Sequence, residues 1–286
     1  MRTVLQPREL LRHRGDNVPI RIGHPISAKL LREHNDRGQA AGEGTGKALD
    51  LDPWDENYLH LFVWAPDDRE IVGAYRLGQT DEILREHGTG GLYSSIDFRY
   101  DEKLFDTLGP ALELGRSFIQ PRYQRQFNSL LLLWQGIGQF IARKPHYTKL
   151  FGMVSISNDY QGISRTLISN VLKHRYASPE LGDYVRPCHA FSGQATRHLQ
   201  CSEVATWGED VNEVSSWVAD LEEELPGVPV LVRQYVKMGA EILAFNVDPR
   251  FGNTLDGLIV VDLKRTEPHQ LRTFFGKETA EKLRAA

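Results

Sequence analysis

The sequence predicts a mixed α/β fold in which antiparallel and parallel strands alternate with helices. Two runs rich in β-branched and aromatic residues, at 58–64 and 71–77, flank a turn at 66–69 and predict a β-hairpin. Farther along the chain, apolar strands at 112–118 and 150–156 alternate with stretches of helical periodicity. Hairpins followed by strand–helix alternation are typical of a mixed sheet that is covered by helices.

Composition and charge restrict the class of protein. The chain has 286 residues, of which 41% are apolar and 25% charged, so it can bury an ordinary core in one large domain or two small ones. Its formal net charge of −4 argues against a general nucleic-acid binder, because no surplus of Lys and Arg is present to neutralise phosphates. Cys188 and Cys201 match no metal-ligand or redox spacing, which favours structural thiols in a reducing cytoplasm.

No stretch of the sequence has the pattern of a membrane span or a secretion signal. The N-terminus lacks the apolar core of a signal peptide, and apolar runs such as 130–134 fall far short of the ~20 residues that a spanning helix needs. We therefore expect a cytoplasmic protein, and peripheral contact with the inner membrane stays open.

Residues 1–46 are predicted to be an appendage and linker. Residues 18–23 alternate like a strand, and Pro19 predicts that this strand lies at a sheet edge, since proline cannot donate to a ladder. Residues 26–37 suit a helix, and the glycine-rich segment 38–46 suits a linker. A strand and a helix of this length cannot form a core alone.

The main domain, predicted to span 47–286, begins with an acidic segment at 50–56. Asn128 is a good N-cap for the helix that follows it, and Pro145 stops that helix because proline lacks a backbone N–H. Helical spacing of apolar residues predicts this helix and the one at 161–176, and the other helices are predicted from composition and from end signals. The predicted helices span 80–86, 129–143, 161–176, 211–225, 228–238 and 267–285. Further strands are predicted at 241–245 and 258–262.

Three charged residues lie in otherwise apolar strands. Arg76 ends one strand, and Glu113 and Arg116 lie three positions apart in another. Charged side chains with such neighbours are seldom buried unless they are paired, so a structural Glu–Arg pair is one interpretation. In a regular strand Glu113 and Arg116 would point to opposite faces. A β-bulge near Gly115 would bring both to one cleft, and glycine permits such a bulge.

A cleft with one carboxylate and two guanidinium groups suits amide formation from an amino acid and an activated acyl group. Arginine binds a carboxylate through two parallel hydrogen bonds, and glutamate can orient an ammonium group and help remove its proton. The backbone N–H groups that a bulge leaves unpaired can hold a developing oxyanion. A basic turn at 122–125, before a helix N-terminus, can receive a phosphate or pyrophosphate.

Other catalytic and metal-binding signatures are absent from the sequence. No glycine-rich dinucleotide motif follows a strand, and no P-loop, GxSxG or HExxH motif occurs. The ten histidines do not cluster, so we expect surface or capping roles for most of them and no metal site. The acidic segment at 50–56 is typical of a solvated loop, although its position just before a strand is suggestive.

Five sequence segments resemble the ornithine-acyl-ACP N-acyltransferase family, whose members are often labelled "putative hemolysin". The segments are VGAYRL at 72–77, LYS at 92–94, LELGRSF at 112–118, LLWQG at 132–136 and LFGMVSI at 150–156. They occur in the expected order, and the resemblance covers residues 48–265. The family belongs to a GNAT-like group that includes acyl-homoserine lactone synthases and N-acyl amino acid synthases.

The resemblance implies a GNAT-like fold with helices flanking a central sheet that splays to admit the pantetheine arm of the donor. It implies transfer of a 3-hydroxyacyl chain from the 4′-phosphopantetheine thioester of acyl carrier protein to the α-amine of ornithine, with no bound cofactor. Glu113 and Arg116 match the catalytic positions. Substrate contacts are implied for Arg76, Tyr93, Asp52 and Asp55. Donor contacts are implied for Ser117, Phe118, Ile119, Arg122, Arg125 and Trp134.

Residues 7–30 resemble the tail of a PlsC-like glycerolipid acyltransferase domain, but the HxxxxD motif of that domain is absent. We therefore predict no O-acyltransferase activity, and an upstream or separate PlsC-like partner stays open. The acceptor is also open, because relatives of this kind make glycine and glutamine lipids. The alternatives are a synthase of acyl-homoserine lactones or other N-acyl amino acid signals, a catalytically idle module that binds lipid or carrier protein, and a membrane-lytic factor.

Overall fold

The computed structural model describes residues 20–23, 52–124, 129–191, 210–222, 225 and 227–285. The chain divides into two compact units. Unit 1 comprises Met1–Leu92, Pro110–Thr148 and Pro268–Ala286, and unit 2 comprises Tyr93–Gly109 and Lys149–Glu267.

The fold class is mixed α/β with a mostly antiparallel sheet and flanking helices, which confirms the sequence prediction. The strands are β1 (Ile20–Gly23), β2 (Leu59–Ala65), β3 (Glu70–Gln79), β4 (Phe98–Tyr100), β5 (Ala111–Ile119), β6 (Lys149–Ile156), β7 (Val185–Pro187), β8 (Glu241–Asp248) and β9 (Thr254–Asp262). The helices are α1 (Thr80–His87), α2 (Lys103–Leu108), α3 (Ser129–Arg143), α4 (Gly162–Tyr176), α5 (Val211–Leu221), α6 (Val230–Lys237), α7 (Pro268–Phe275) and α8 (Lys277–Ala285).

Unit 1 is built on antiparallel strands in the order β1-β2-β3-β5. In the described part of the chain β1 pairs with β2 alone, so it occupies the edge that Pro19 predicted. Helix α3 packs against β2, β3 and the C-terminal helices α7 and α8. Its Trp134 is fully buried, with its ring centroid 6.3 Å from Tyr75 and 5.5 Å from Phe274. The apolar face of α3 therefore forms the core of this unit.

Unit 2 contains antiparallel strands in the order β6-β9-β8 and a two-stranded sheet of β4 and β7. Strand β9 pairs with β6 and with β8 and is buried along nearly its whole length. Helix α4 packs on α5 and on β8. The pair β4–β7 was not predicted, because strands this short show no readable alternation.

The predicted C-terminal helix is in fact two helices. Gly276 has a φ of +80°, and its N–H donates to the carbonyl oxygen of Arg272 at 3.0 Å, which ends α7. Phe274, Phe275 and Leu283 of this segment are buried. Helices α7 and α8 are therefore part of the core of unit 1.

Other differences between prediction and structure lie at helix ends. Helix α5 ends at Leu221, four residues before the predicted end, and α6 begins at Val230, after an N-cap at Pro229 with extended backbone. No helix in the described ranges is both long and apolar enough to span a membrane. Several predictions fall outside the described residues: the helix at 26–37, the linker at 38–46, the Asn128 cap and Cys201.

Unit 2 buries three carboxylates, on Asp97, Asp248 and Asp256, whose oxygen atoms lie within 4.8 Å of one another. Arg250 supplies positive charge, since its Nη2 lies 2.9 Å from Asp97 Oδ1 and its Nε lies 3.0 Å from Asp248 Oδ1. Burial and the charge of Asp248 raise the pKa of Asp97 to about 6. Burial raises the pKa of Asp256 to about 7, although a hydrogen bond from Ser155 opposes this shift.

Asp256→Asn should make the stability of the protein less dependent on pH. A carboxyl whose pKa is higher in the folded state, here about 7, stabilises the fold when protonated, so its contribution is lost as the pH rises through that value. The variant should therefore exceed the wild type by about 4 kcal/mol in free energy of unfolding at about pH 8, and match it at about pH 4. Urea unfolding at both pH values measures the difference.

The matched control is Asp183→Asn, which neutralises an exposed carboxylate of the same unit. It should leave the pH dependence as it is in the wild type. If Asp256→Asn and the wild type lost stability equally between the two pH values, Asp256 would not be the titrating group.

Candidate active site

The acidic turn, residues 52–56, contains a short 3₁₀ helix at Pro53–Glu56 with Asp52 as its N-cap. The side chain of Asp52 accepts hydrogen bonds from the backbone N–H groups of Trp54 and Asp55, at 2.9 and 3.1 Å. Asp55 Oδ2 accepts from the Asp52 N–H at 2.9 Å, which completes a capping box. Asp55 is only 6% exposed, so its carboxylate does not lie on the solvated face that the composition of the segment suggests.

Arg76, on β3, binds both carboxylates of the acidic turn. Its Nη1 lies 2.7 Å from Asp52 Oδ2 and 2.9 Å from Asp55 Oδ1, and the side chain is 2% exposed. Burial acts to lower the pKa of Arg76, but the hydrogen bonds and charges of the two aspartates outweigh it and raise the pKa. The guanidinium therefore stays charged and holds the acidic turn against β3.

Glu113, on β5, is almost completely buried and accepts a hydrogen bond at Oε2 from the hydroxyl of Tyr58. The Tyr58 ring also packs against Arg76, whose Cζ lies 5.0 Å from the ring centroid. Gly78 makes room for this ring, since a Cβ at that position would lie 2.4 Å from Tyr58 Cε1. One phenol thus connects Glu113 with the ion pair of Arg76.

Strand β5 carries a β-bulge opposite Tyr75, where Arg116 and Ser117 together face this single residue of β3. The predicted bulge is therefore present, but the residue with positive φ is Arg116, at +47°, and not Gly115. A non-glycine residue in the left-handed region costs about 1–2 kcal/mol, and such strain clusters at functional sites. At the bulge, Arg116 Nη1 lies 3.6 Å from Asp52 Oδ2.

Sequence reasoning missed two members of this cluster, Tyr58 and His60. His60 Nε2 lies 3.4 Å from the carbonyl oxygen of Asp55, and burial lowers the pKa of His60 although the charge of Asp55 opposes the shift. Its imidazole is therefore neutral near pH 7 and can accept a proton. The hairpin register was the available signal for His60, because it places this residue directly opposite Arg76.

The remaining residues that were predicted to contact the donor or the substrate differ from one another in their exposure to solvent. Ser117 and Ile119 are half-buried and Phe118 is 39% exposed, so the end of β5 offers an accessible apolar side chain. Trp134 lies in the core of unit 1, so its contact with a donor would require core neighbours to move. Tyr93 belongs to unit 2, and its role as a substrate contact stays a prediction.

The basic turn after β5 is partly neutralised. Arg122 forms a close ion pair with Glu70 and lies 3.6 Å from Asp68. A phosphate at Arg122 would therefore compete with two carboxylates. Arg125 lies outside the described residues.

Comparison with known proteins identifies the family. Residues 31–135 match the Acetyltransferase (GNAT) domain, and this stretch includes Arg76 and Glu113. A glycine N(alpha)-acyltransferase of Phocaeicola vulgatus is 30% identical over 75% of this chain and 68% of its own length. A protein of the same name from Bacteroides thetaiotaomicron is 30% identical over 87% of this chain and 79% of its own. The chain belongs to this family of GNAT N-acyltransferases.

A solved structure is also similar to this N-acyltransferase. The CoA-dependent acyl-homoserine lactone synthase MesI aligns with 86% of this chain and 82% of its own, at 12% identity and a TM-score of 0.35. That similarity is too distant to bear on the site. The sequence relatives carry the name of a glycine enzyme, and the ornithine acceptor expected from the sequence stays a prediction.

Arg116→Gly should be more stable than Arg116→Ala, by about 1 kcal/mol in free energy of unfolding. Both variants lose the guanidinium, so their difference isolates the cost of a Cβ at a φ of +47°. Denaturant unfolding measures it. At Arg186, an exposed residue of regular strand β7, the order should reverse, because glycine weakens an ordinary strand. A more stable alanine variant at residue 116 would contradict the left-handed backbone.

Proposed function

We propose that this N-acyltransferase moves a fatty acyl chain from the phosphopantetheine thioester of acyl carrier protein to the α-amine of an amino acid. The observation that carries the proposal is the buried Glu113 carboxylate, which accepts a hydrogen bond from Tyr58 beside the Arg76 ion pair. The family contains N-acyltransferases of an amino acid by name, which supports an amine acceptor. Ornithine and glycine are the acceptors to compare.

The proposed reaction needs a base for the acceptor and a stabilised oxyanion. The ammonium group of the amino acid gives a proton to Glu113, directly or through water, and the free amine attacks the thioester carbonyl carbon. The C–N bond forms, the C–S bond breaks, and the leaving thiolate takes up the second proton, which the attacking nitrogen loses as the amide forms. We place the oxyanion donor at the backbone of the bulge residues Arg116 and Ser117, where β5 departs from its regular register with β3.

Tyr58 acts on Glu113 in this mechanism as a positioning residue. Its hydroxyl donates to Oε2 and so orients the Glu113 carboxylate that takes the proton of the acceptor. The ion pair of Arg76 with Asp52 and Asp55 holds the turn that precedes Tyr58. The arrangement therefore supplies a base whose rotamer is fixed before the substrate binds.

The proposed donor implies a protein partner and a lipid product. Acyl carrier protein and CoA present the same phosphopantetheine thioester. The ratio of kcat/KM for acyl-ACP to kcat/KM for acyl-CoA therefore identifies which of the two is the acyl donor. An N-acyl amino acid with a long chain partitions into membranes, so we also propose a cytoplasmic enzyme with peripheral contact to the inner membrane. A separate PlsC-like enzyme would then acylate the hydroxyl of a 3-hydroxyacyl product.

Purified protein with 3-hydroxyacyl-ACP should release holo-ACP only when an amino acid is added, and mass spectrometry should find the N-acyl product. Glu113→Gln should lower kcat about a hundredfold, because general-base catalysis contributes 10²–10⁴-fold. The KM for the donor should change little, since Glu113 acts on the acceptor. Tyr58→Phe should lower kcat less and shift the pH profile of kcat.

Glu102→Gln, at an exposed position of unit 2, is the control for these variants and should retain wild-type kcat. Absence of turnover with every amino acid, for both acyl-ACP and acyl-CoA, would refute the proposed function. Wild-type kcat in Glu113→Gln would refute the role of Glu113 and leave the reaction itself standing.

A further inference from the structure

His60 shares one face of the unit 1 sheet with Glu113. The register places His60 of β2 opposite Arg76 of β3, and Glu113 of β5 opposite Gly78, two residues farther along β3. Partners across a ladder point to the same side of a sheet, and so do residues two apart in one strand. The imidazole and the carboxylate therefore point to the same side, opposite the side on which Tyr75 contacts helix α3.

The two side chains are close enough to act on one reacting group. Neighbouring strands lie about 4.8 Å apart, and two residues span about 7 Å along a strand. Since β3 lies between β2 and β5, the Cα atoms of His60 and Glu113 are about 12 Å apart. An amine and a thioester carbonyl that meet between them can contact Glu113 on one side and His60 on the other.

The carbonyl oxygen of Asp55 selects the tautomer of His60. It lies 3.4 Å from Nε2, and because a carbonyl oxygen only accepts hydrogen bonds, the neutral ring carries its proton on Nε2. Nδ1 makes no hydrogen bond to any residue that the structure describes, and the side chain is 14% exposed. Nδ1 is therefore the ring nitrogen that can take up a proton.

The groups around His60 keep its ring neutral at rest. Burial lowers the pKa of His60, the charge of Arg76 lowers it further, and the charges of Asp55 and Asp52 oppose the shift. On the other side, strand β1 places Gly23 opposite His60, and glycine brings no charge. The ring is therefore ready to accept a proton near pH 7.

A proton on this ring would stay only briefly. The imidazolium forms beside Asp55, whose Oδ1 lies 3.8 Å from Nε2, so its charge has a partner. A thiolate is the stronger base, because ordinary pKa values are about 6.5 for imidazole and about 8.5 for a thiol. The ring therefore suits a carrier that takes a proton from one reacting atom and gives it to a leaving thiolate.

We infer that His60 carries the second proton of the acyl transfer, from the attacking nitrogen to the leaving thiolate. The inference rests on the proposed function. Once the C–N bond has formed, the nitrogen gives this proton to Nδ1, and the ring becomes an imidazolium. The imidazolium protonates the thiolate as the C–S bond breaks, so the ring is neutral again when the thiol leaves. Glu113 takes the first proton, and His60 takes the second.

His60→Gln separates the proton carrier from the structural donor. The glutamine amide can still donate to the Asp55 carbonyl oxygen, but it takes up no proton. The variant should lower kcat about a hundredfold, at the low end of general acid–base effects, and change the KM for the donor little. The matched control is His269→Gln, at an exposed position of α7 in unit 1, which should keep the wild-type kcat.

The pH profile of kcat and the NMR spectrum of the ring give two further readouts. The wild-type kcat should fall as the pH drops below the pKa of His60, because a protonated ring accepts no proton, and His60→Gln should lose this part of the profile. Nitrogen-15 shifts of the wild-type imidazole, measured without substrate, should show the proton on Nε2 and a pKa below the ordinary value of about 6.5.

The outcomes separate this inference from the proposed function. Wild-type kcat in His60→Gln, or a reduced kcat with the wild-type pH profile, overturns the role of His60 and leaves acyl transfer standing. A neutral ring with its proton on Nδ1 also overturns it, in an experiment that needs no turnover. Absence of turnover in the wild type with every amino acid refutes the proposed function, and the role of His60 with it.

Discussion

The buried ion pair between Arg76 and the two aspartates of the acidic turn is the interaction on which the site depends. A guanidinium that is 2% exposed must be neutralised, because removing the partner of a buried charge costs about 3–5 kcal/mol. Asp52 and Asp55 neutralise it while their capping box holds the turn. The turn leads into Tyr58, so the charge balance of Arg76 also places the hydroxyl that donates to Glu113.

The bulge in β5 is a second constraint, and it opposes the stability of the strand. In a regular strand Glu113 and Arg116 point to opposite faces, whereas the extra residue lets Arg116 approach Asp52 while Glu113 stays with Tyr58. The arginine adopts a left-handed backbone that glycine would adopt at less cost. Glycine would supply no guanidinium. Arg116 therefore provides the charge near Asp52 at the cost of a left-handed backbone.

The sequence predicted the charged half of the site and missed the neutral half. Arg76 and Glu113 stood out because a charge in an apolar strand must be paired when it is buried. Tyr58 gave no such signal, since a tyrosine at the start of a strand is ordinary core; what distinguishes it in the structure is the room that Gly78 leaves for its ring. Apolar periodicity also located most described strands and helices. The carboxylate cluster around Asp97 was out of reach, because it depends on contacts between segments far apart in sequence.

A double-mutant cycle between Arg76 and Asp55 tests the central claim most directly. The free energy of unfolding is measured by urea titration for the wild type, Arg76→Met, Asp55→Asn and the double variant. If the buried pair organises the site, each single variant should lose several kcal/mol, the double variant should lose much less than their sum, and the coupling should be about 3 kcal/mol. Additive losses, with coupling near zero, would contradict the account.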